Sequence, residues 1–493
     1  MPKEFFKELS DHKTPPTYKY FDGEAWKVSL SGKTSDIISP IDGKVLGKVQ
    51  QVTFVEIDRA IERAKKAQEE WARVPMIKRT KPLHLAADWI REHEKFLTRL
   101  LIQEIGKTYE EAKDEILRSA DMIDHFCHEA LHLAGEELSG DAFPGYDQTK
   151  MAIVERVPLG VVVAISPFNY PVNLSVSKIV PALLTGNTCV FKPPTYGSIS
   201  AVHLTEIFRI AGVPDGVLVT ITGEGSTIGD YLVTHKEIAM VTYTGSSEVG
   251  RSIATKIGMI PLLFECGGNN PALVLPDTDL DATSTEIVKG AFSYSGQRCT
   301  AIKYVLGLKP TIQELVPLVI KKTKTMMRIG NPKDERNNFG PVITENAAHE
   351  IEKRILEAKA HGAKIVLGGK RDGLFVEPTI LTDVKPTMEI VQRETFGPVV
   401  SFLEVKSIDE ALSIINASEY GLQASIFTKD EGTGIRLAQK IGVGTVQVNS
   451  KPQRGPDHFP FLGVKGSGIG VQGIRYSLEA MTRFRSIVLN SPK

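Results

Sequence analysis

One cysteine in this sequence has neighbours that suit chemistry better than core packing. Cys299 ends the stretch YSGQRC (294–299), in which the Ser-Gly pair indicates a backbone turn or a close approach of two segments. A cation beside a thiol favours the nucleophilic thiolate, and Arg298 is adjacent. A free cysteine is more often a buried apolar residue, which suits Cys127 and Cys189 in their apolar surroundings. The residues by themselves leave both roles open for Cys299.

A carboxylate that could serve as a base lies 34 positions before this cysteine. Glu265 ends the apolar stretch IPLLFE, and two glycines follow shortly after it. A strand-end carboxylate facing water is common, and a general base is the alternative, because burial can raise a carboxyl pKa toward the working pH. A thiolate and a carboxylate base together suit covalent catalysis in which water is activated later.

Composition excludes several classes of protein. Lys+Arg and Asp+Glu both number 59 in 493 residues, so no net charge supports bulk nucleic-acid binding. The four cysteines form no C-x-x-C pair, so we expect neither a metal site nor a disulfide framework. No apolar run approaches the roughly 20 residues that span a bilayer, and the first residues lack the apolar core of a signal peptide. A cytoplasmic protein is therefore predicted.

The elements around these residues alternate between strand and helix patterns. The first fifty residues look poor in strands and rich in turns, and helical periodicity follows. From about 157 to 265, short apolar runs alternate with helices, which predicts a doubly wound parallel sheet that binds ligands at its carboxyl edge. A second α/β region is predicted from about Asn270 to Val448. The last apolar stretch, TRFRSIVLN, has no obvious partner in the chain, so it is predicted to join another subunit's sheet.

Eight short motifs then follow one another in a familiar order. They are SPFNYP (166–171), PALLTGNTCVFKPP (181–194), YTGSSEVG (243–250), FECGGNNP (264–271), GQRC (296–299), ETFGPV (394–399), VN (448–449) and PFLGVKGSGIG (460–470). In these motifs the chain resembles the aldehyde dehydrogenase superfamily over nearly its whole length. Its segment QRGPDHFPFLG (453–463) most resembles the branch of non-phosphorylating glyceraldehyde-3-phosphate dehydrogenases.

The resemblance implies an aldehyde dehydrogenase-like α/β fold with three parts. A Rossmann-type dinucleotide-binding domain would comprise residues 1–137 and 157–264, and an α/β catalytic domain residues 265–470. A small β oligomerisation arm would comprise residues 138–156 and 471–493. The family pattern further implies a homotetramer built as a dimer of dimers.

The resemblance also implies a role for each catalytic residue. Cys299 would attack the aldehyde carbon, and the Asn169 side-chain amide and the Cys299 backbone N–H would hold the oxyanion. Oxidation would leave a thioester, and Glu265 would activate the water that hydrolyses it. Lys178 matches a family lysine and is given only a structural or supporting role.

For the cofactor, the resemblance implies NADP as the preferred dinucleotide, with NAD possible. Many members carry Glu where this chain has Thr195, and the missing negative charge would admit a 2′-phosphate beside Lys192. The implied cofactor-binding residues are Lys192, Thr195, Ser166, Phe168, Gly245, Ser246, Gly225, Glu394 and Phe396. Asn269 departs from the lysine common in the family, and its role has no physical explanation at this stage.

For the substrate, the implied residues are Arg118, Tyr170, Arg298 and Arg454, because several guanidinium groups suit a phosphate dianion. The implied reaction is irreversible oxidation of D-glyceraldehyde 3-phosphate to 3-phosphoglycerate without inorganic phosphate. Arg118 could equally be a solvated helix residue and Arg454 a surface ion pair. The alternatives are another anionic or hydroxylated aldehyde, such as succinate semialdehyde or lactaldehyde, a CoA-acylating enzyme, and a silent structural protein.

Overall fold

The computed structural model of the protein describes residues 6–11 and 13–490. The outermost residues of the predicted cofactor domain and arm, and residue 12, lie outside these ranges. Short 3₁₀ turns aside, the helices are α1 Phe54–Trp71, α2 Met76–Glu92, α3 Glu94–Ile105, α4 Tyr109–Ala130, α5 Asn173–Leu184, α6 Ser198–Ile210, α7 Gly225–Val233, α8 Ser247–Lys256, α9 Leu280–Phe292, α10 Lys309–Met326, α11 Glu345–Ala360, α12 Glu389–Gln392, α13 Ile408–Ala417, α14 Glu431–Ala438 and α15 Ile474–Ala480.

The strands form two large sheets and three small ones. They are β1 Thr17–Tyr18, β2 Tyr20–Phe21, β3 Trp26–Lys27, β4 Thr34–Ile38, β5 Val45–Gln50, β6 Glu136–Ser139, β7 Lys150–Pro158, β8 Val161–Ile165, β9 Thr188–Lys192, β10 Leu218–Thr220, β11 Ile238–Thr244, β12 Leu262–Glu265, β13 Asn270–Val274, β14 Ile302–Leu308, β15 Lys364–Leu367, β16 Arg371–Asp372, β17 Phe375–Val376, β18 Thr379–Thr382, β19 Val399–Val405, β20 Gln423–Phe427, β21 Thr445–Val448, β22 Gly468–Ile469 and β23 Thr482–Asn490.

The first large sheet contains the predicted doubly wound region. Its order is β22-β12-β11-β8-β9-β10-β2-β3, and β8 to β12 are parallel to one another. The first four residues of β8 are fully apolar and buried, as expected for a parallel strand covered on both faces. The parallel-sheet prediction is confirmed, and the carboxyl ends of β9, β11 and β12 meet along one edge.

The second large sheet belongs to the second α/β region. Its order is β15-β18-β19-β14-β13-β20-β21, parallel except for the β15 edge strand. Its strand β14 begins just after Cys299, and β13 begins shortly after Glu265. The two sheets therefore place the cysteine and the carboxylate at the junction between them.

The final strand corrects the sequence prediction. All nine residues of β23 pair with β7 in antiparallel register, from Thr482 opposite Pro158 to Asn490 opposite Lys150, and β6 completes the sheet on the other side of β7. The predicted absence of a partner within the chain is wrong. The pairing joins segments more than 300 positions apart, and a local pattern carries no information about such a contact.

The first fifty residues also differ from their prediction. They contain β1 to β5, of which β2 and β3 extend the first large sheet and β1, β5 and β4 form a separate one. The expected turn SPIDGK does connect β4 and β5. Three of these strands have only two residues, too few to show an alternating pattern. Within the described ranges, no helix has both the length and the apolarity needed to cross a bilayer.

Candidate active site

The backbone before Cys299 adopts an unusual conformation. Tyr294, Ser295 and Gly296 follow one another with φ of 48°, 51° and 69°, in the left-handed region that residues other than glycine rarely occupy. A Cβ on Gly296 would lie 2.1 Å from the Gly397 carbonyl oxygen. The expected turn and close approach at Ser-Gly are therefore both present. Strain of this kind persists where surrounding contacts fix the backbone, often beside an active site.

Asn270 holds the Cys299 loop from the neighbouring strand. Its Nδ2 donates to the carbonyl oxygens of Cys299 and Ala301 at 2.7 and 2.8 Å, and its Oδ1 accepts from the Gln423 N–H at 3.1 Å. All three hydrogen bonds are made by one buried amide. Sequence analysis missed this positioning residue, and its only signal was an amide at the start of a strand after two glycines.

The thiol of Cys299 lies against the carboxylate of Glu265. Cys299 Sγ donates to Glu265 Oε1 at 3.3 Å, and Glu265 is only 1% exposed at the carboxyl end of β12. Burial, then the negative charge and hydrogen bond of Glu265, raise the pKa of Cys299 well above its usual value, and Arg454 opposes them. This arrangement therefore favours a neutral thiol beside a potential base.

Arg298 does not act on the thiol as its position in the sequence suggested. Its guanidinium donates to the Ser293 hydroxyl, to Thr300 Oγ1 at 3.0 Å and to the Pro452 carbonyl at 3.3 Å. The cation that lowers the pKa of Cys299 is Arg454. Adjacent residues in an extended or turning chain point their side chains apart, which local sequence does not reveal.

Two N–H donors belong to residues that line one cavity, Asn169 and Cys299. Asn169 lies just after β8 and lines the same cavity as Cys299, and its Nδ2 donates to the Gln297 carbonyl at 3.0 Å. The Cys299 backbone N–H makes no hydrogen bond to another residue that the structure describes. If a substrate carbon bonds to Sγ, its carbonyl oxygen would lie in the same cavity as both donors.

A cavity of about 820 Å³ opens from Cys299 along the carboxyl edge of the first sheet. All nine predicted cofactor-binding residues line it: Lys192, Thr195, Ser166, Phe168, Gly245, Ser246, Gly225, Glu394 and Phe396. Helix α8 begins at this cavity, where Ser246 Oγ accepts from the Val249 N–H at 3.3 Å, and the buried Ser247 Oγ has no partner in the structure. Free N–H groups at a helix start favour a phosphate.

The charges of the cavity suit a phosphorylated dinucleotide. Burial lowers the pKa of Lys192 to about 8, and its Nζ donates to the Pro193 carbonyl at 3.0 Å. Thr195 places a neutral hydroxyl nearby. At the other end, burial raises the pKa of Glu394 to about 7, opposed by the Lys303 charge and the Gly268 N–H. An anion beside Lys192 would restore its ordinary pKa, so the residues present fit NADP.

The predicted substrate arginines are partly joined into one network. Arg118 donates through Nε and Nη2 to both oxygens of Asp457 at 2.7 Å, and through Nη2 to the Arg454 carbonyl at 2.6 Å. Arg454 contacts the Glu265 carboxylate and donates to Gln472 Oε1 at 2.8 Å. Arg118 is thus partly buried and paired, and Arg454 is not a surface ion pair. Sequence analysis missed Asp457 and Gln472.

Tyr170 rests on a fully buried ion pair. The Lys107 ammonium lies 3.5 Å from the centre of the Tyr170 ring and 2.5 Å from Glu115 Oε2. Glu115 Oε1 in turn accepts from the N–H groups of Val172 and Asn173 at 2.9 and 3.1 Å. The pair therefore fixes the start of α5 and, with it, the loop that carries Asn169. No sequence signal separated these two residues from other charged helix positions.

Two further predicted positions lie behind the site. Lys178 is buried and its Nζ donates to Thr244 Oγ1 at 2.6 Å, and burial lowers its pKa to about 7, opposed by Glu265. Asn269 Nδ2 donates to the Val391 carbonyl at 2.5 Å, while its Oδ1 is buried without a partner. Asn269 thus ties the start of β13 to the α12 segment.

Comparison with known proteins places this geometry in context. Residues 26–487 match the family model described as "Aldehyde dehydrogenase family". An NADP-dependent glyceraldehyde-3-phosphate dehydrogenase from Arabidopsis thaliana is 44% identical over 96% of each chain. A 3-sulfolactaldehyde dehydrogenase from Priestia aryabhattai is 36% identical over 96% of this chain and 97% of that one. A crystal structure of an NADP-dependent glyceraldehyde-3-phosphate dehydrogenase from Bacillus halodurans C-125, complexed with NADP, has a TM-score of 0.94 and 46% identity, covering 96% of this chain and 99% of that one.

Proposed function

Because the chain belongs to the aldehyde dehydrogenase family, we propose that it oxidises D-glyceraldehyde 3-phosphate to 3-phosphoglycerate with NADP and without inorganic phosphate. The observation that carries this proposal is the buried contact of Cys299 Sγ with Glu265 Oε1 at 3.3 Å, beside the Arg454–Arg118 network. The names of two similar proteins support the substrate and the cofactor.

The first step is addition of the thiol to the aldehyde. Glu265 accepts the proton of Cys299 Sγ, and the sulfur bonds to the carbonyl carbon. The carbonyl oxygen becomes an oxyanion that the Asn169 Nδ2–H and the Cys299 N–H stabilise. Removal of one such donor typically costs about 3–4 kcal/mol of transition-state stabilisation.

NADP, when bound in the cavity of about 820 Å³, supplies the hydride acceptor for the oxidation. Lys192 and Thr195 would lie at its 2′-phosphate, and the start of α8 with Ser246 at its pyrophosphate. Glu394 would hold the nicotinamide ribose, and Phe168 and Phe396, whose ring centres are 5.8 Å apart, would pack beside the ring. Ser166, Gly225 and Gly245 line the same cavity. NAD lacks the phosphate that Lys192 favours, so it is the weaker cofactor.

Hydrolysis completes the reaction. Glu265, after releasing to solvent the proton it took from Cys299, removes a proton from water, which attacks the thioester carbon, and the Cys299 thiolate leaves. The product is a carboxylate rather than an acyl phosphate, which makes the oxidation irreversible under cellular conditions. The same base argues against a CoA-acylating enzyme, in which a thiol replaces water.

The substrate phosphate is proposed to lie among Arg118, Arg298, Arg454 and Tyr170. The guanidinium groups of Arg118 and Arg454 are held in place by the carboxylates of Asp457 and Glu265. A dianion in this position would compete for the same guanidinium groups.

The proposal is tested by steady-state assays without inorganic phosphate, comparing NADP with NAD and glyceraldehyde 3-phosphate with unphosphorylated glyceraldehyde. We expect Arg298→Gln to raise KM for the phosphorylated aldehyde about tenfold or more and to leave KM for glyceraldehyde unchanged. Cys299→Ser should abolish nucleotide reduction with both. An unchanged KM in the Arg298 variant contradicts the phosphate site, and persisting reduction in the Cys299 variant contradicts the mechanism.

A second candidate substrate is another anionic or hydroxylated aldehyde. The 36% identity to a 3-sulfolactaldehyde dehydrogenase favours it, since guanidinium groups also bind a sulfonate. A panel of 3-sulfolactaldehyde, lactaldehyde and succinate semialdehyde distinguishes these substrates from the phosphorylated one by kcat/KM.

Location and assembly are proposed on separate grounds. All four cysteines are free, which suits a reducing compartment such as the cytoplasm. The three-part domain division and a homotetramer formed through the β6-β7-β23 arm are proposed from the family pattern and from the exposed apolar residues of β23.

A further inference from the structure

A second cavity, of about 560 Å³, lies where the first helices meet the β7–β23 arm. Five arginines line this arginine cavity, namely Arg73, Arg79, Arg156, Arg483 and Arg485, against only two carboxylates, Glu69 and Glu155. Glu155 is already paired with Arg485 at 2.6 Å. None of these residues belongs to the active site described above.

The least compensated charge in the cavity is Arg79, on the first turn of α2. Its side chain is 7% exposed, and its buried Nε has no hydrogen-bond partner. Among the residues that the structure describes, the only side-chain acceptor of its guanidinium is Met76 Sδ at 3.7 Å, a weak one. Burial lowers the pKa of Arg79 to about 10, and no described carboxylate acts against that effect. A buried cation without a counter-charge is costly unless an anion accompanies it.

The other arginines leave donors available at the rim. Arg156 donates to Thr482 Oγ1 at 3.1 Å and stacks 4.4 Å from the Phe484 ring centre, and its nearest carboxylate, Glu479, lies at 3.9 Å. Arg73 and Arg483 are exposed, and neither forms an ion pair with the residues that the structure describes. The cavity thus combines one buried guanidinium with a ring of available ones.

The position of the cavity separates it from the active site. Thr185 lines it, just before β9, whereas Lys192 at the other end of β9 lines the cofactor cavity. Helix α5 likewise begins beside Tyr170 and ends at this cavity. An anion here would therefore occupy the opposite edge of the same sheet.

We propose that the arginine cavity binds a phosphate dianion, either inorganic phosphate or a small phosphate monoester. Its guanidinium donors match the oxygens of a dianion. Its volume is within the range of small-molecule sites, and its wall also includes Met76, Leu133 and Val157, which could contact a short carbon chain. The proposal does not depend on which aldehyde the enzyme oxidises.

Isothermal titration with sodium phosphate and with glycerol 3-phosphate, against sodium chloride at equal ionic strength, measures this binding. We expect Arg79→Gln and Arg483→Gln to weaken the phosphate Kd about tenfold or more. Arg336→Gln, an exposed arginine paired with Asp334 in another region, is the matched control and should leave Kd unchanged. Arg298→Gln should also leave it unchanged, which separates this site from the proposed substrate phosphate site. Tighter binding of glycerol 3-phosphate identifies a phosphorylated metabolite, and equal binding identifies free phosphate.

A stability measurement checks the role of the buried charge. Arg79→Met removes an uncompensated cation, so the ligand-free Tm should stay or rise while the phosphate-dependent rise in Tm disappears. If the Arg79 variants do not fold, Arg483→Gln, which is exposed and should keep wild-type turnover, decides the question. Phosphate binding equal to wild type in that variant, or none in the wild type beyond chloride, overturns the proposal. The proposal is also overturned if Arg79→Gln loses self-association and the wild type binds no phosphate. An acidic residue of a second copy would then fill the cavity.

Discussion

At the scale of residues, the site pairs the thiol of Cys299 with the carboxylate of Glu265, which changes the pKa of that thiol. Glu265 raises the pKa of Cys299 by charge and hydrogen bonding, and Arg454 counteracts it while contacting Glu265 itself. These contacts favour the thiol form of Cys299 over the thiolate. A bound aldehyde would meet a sulfur whose proton already faces its acceptor.

Alkylation of Cys299 tests this coupling. Because the Glu265 carboxylate disfavours the thiolate, Glu265→Gln should lower the pKa of Cys299 and increase the thiolate fraction at pH 8. We expect iodoacetamide to modify Cys299 about tenfold faster in this variant, as one pKa unit implies, while turnover is lost. Mass spectrometry of the labelled peptide gives the rate, and the buried Cys189 is an internal control. Slower labelling in the variant would contradict the coupling.

Cofactor choice is also decided at this scale. Thr195 places no negative charge in the cavity lined by the buried Lys192. Thr195→Glu should raise KM for NADP about tenfold or more, through repulsion of the 2′-phosphate, and should change KM for NAD much less. Thr195→Gln has the same shape without the charge and should resemble the wild type. Equal effects of Glu on both cofactors would show that the 2′-phosphate lies elsewhere.

At the scale of elements, strand ends and helix starts position the reacting groups. The end of β12 carries Glu265, the start of β14 follows Cys299, and the start of α5 follows Asn169. The Lys107–Glu115 pair fixes that helix start through two backbone N–H groups. Both partners are fully buried, so removal of one leaves a charge without compensation.

This pair predicts a non-additive result. Lys107→Met alone should destabilise the protein by about 3 kcal/mol, because Glu115 would remain buried as an unpaired anion. The double variant Lys107→Met, Glu115→Gln should recover part of that loss. Denaturant unfolding measures both, and kcat for each folded variant reports whether the Asn169 loop has moved. Strictly additive losses would contradict the account of a coupled pair.

At the scale of the whole molecule, the β6-β7-β23 arm leaves apolar surface uncovered. Ile487, Val488 and Leu489 are each at least 40% exposed although consecutive strand residues face opposite sides. Strand β23 is also an edge of its sheet among the described strands. Exposed apolar faces and open strand edges together favour an interface with a second copy.

Assembly through the arm can be measured directly. Val488→Arg places a charge in the apolar surface and should reduce the assembly to dimers or monomers in sedimentation velocity. Val28 is 63% exposed outside the arm, against 55% for Val488, so Val28→Arg is the matched control and should keep the wild-type sedimentation coefficient. An unchanged coefficient in the Val488 variant would place the interface elsewhere.

Features that depend on residues close together in the chain could be predicted, and features that depend on distant residues could not. The parallel sheet and its helices could be predicted, because strand and helix periods are local. The nine predicted residues that line the cavity beside Cys299 came from the resemblance of short motifs to the family. The two-residue strands before residue 50 could not, because they are too short to show a period. Arg298 donates to the Ser293 hydroxyl and not toward Cys299. The sequence could not predict this contact, because it does not give the direction of a side chain in a turn.

By itself the sequence indicated, through the resemblance of its short motifs to the aldehyde dehydrogenases, that Cys299, Glu265 and Asn169 belong to one site. Only the tertiary structure decided how they are held. Arg118 meets Asp457 across 339 positions, Arg454 meets Glu265 across 189, and β23 pairs with β7 within the same chain. Such contacts form when distant segments pack to bury apolar surface, and no local pattern of residues encodes which segments will meet.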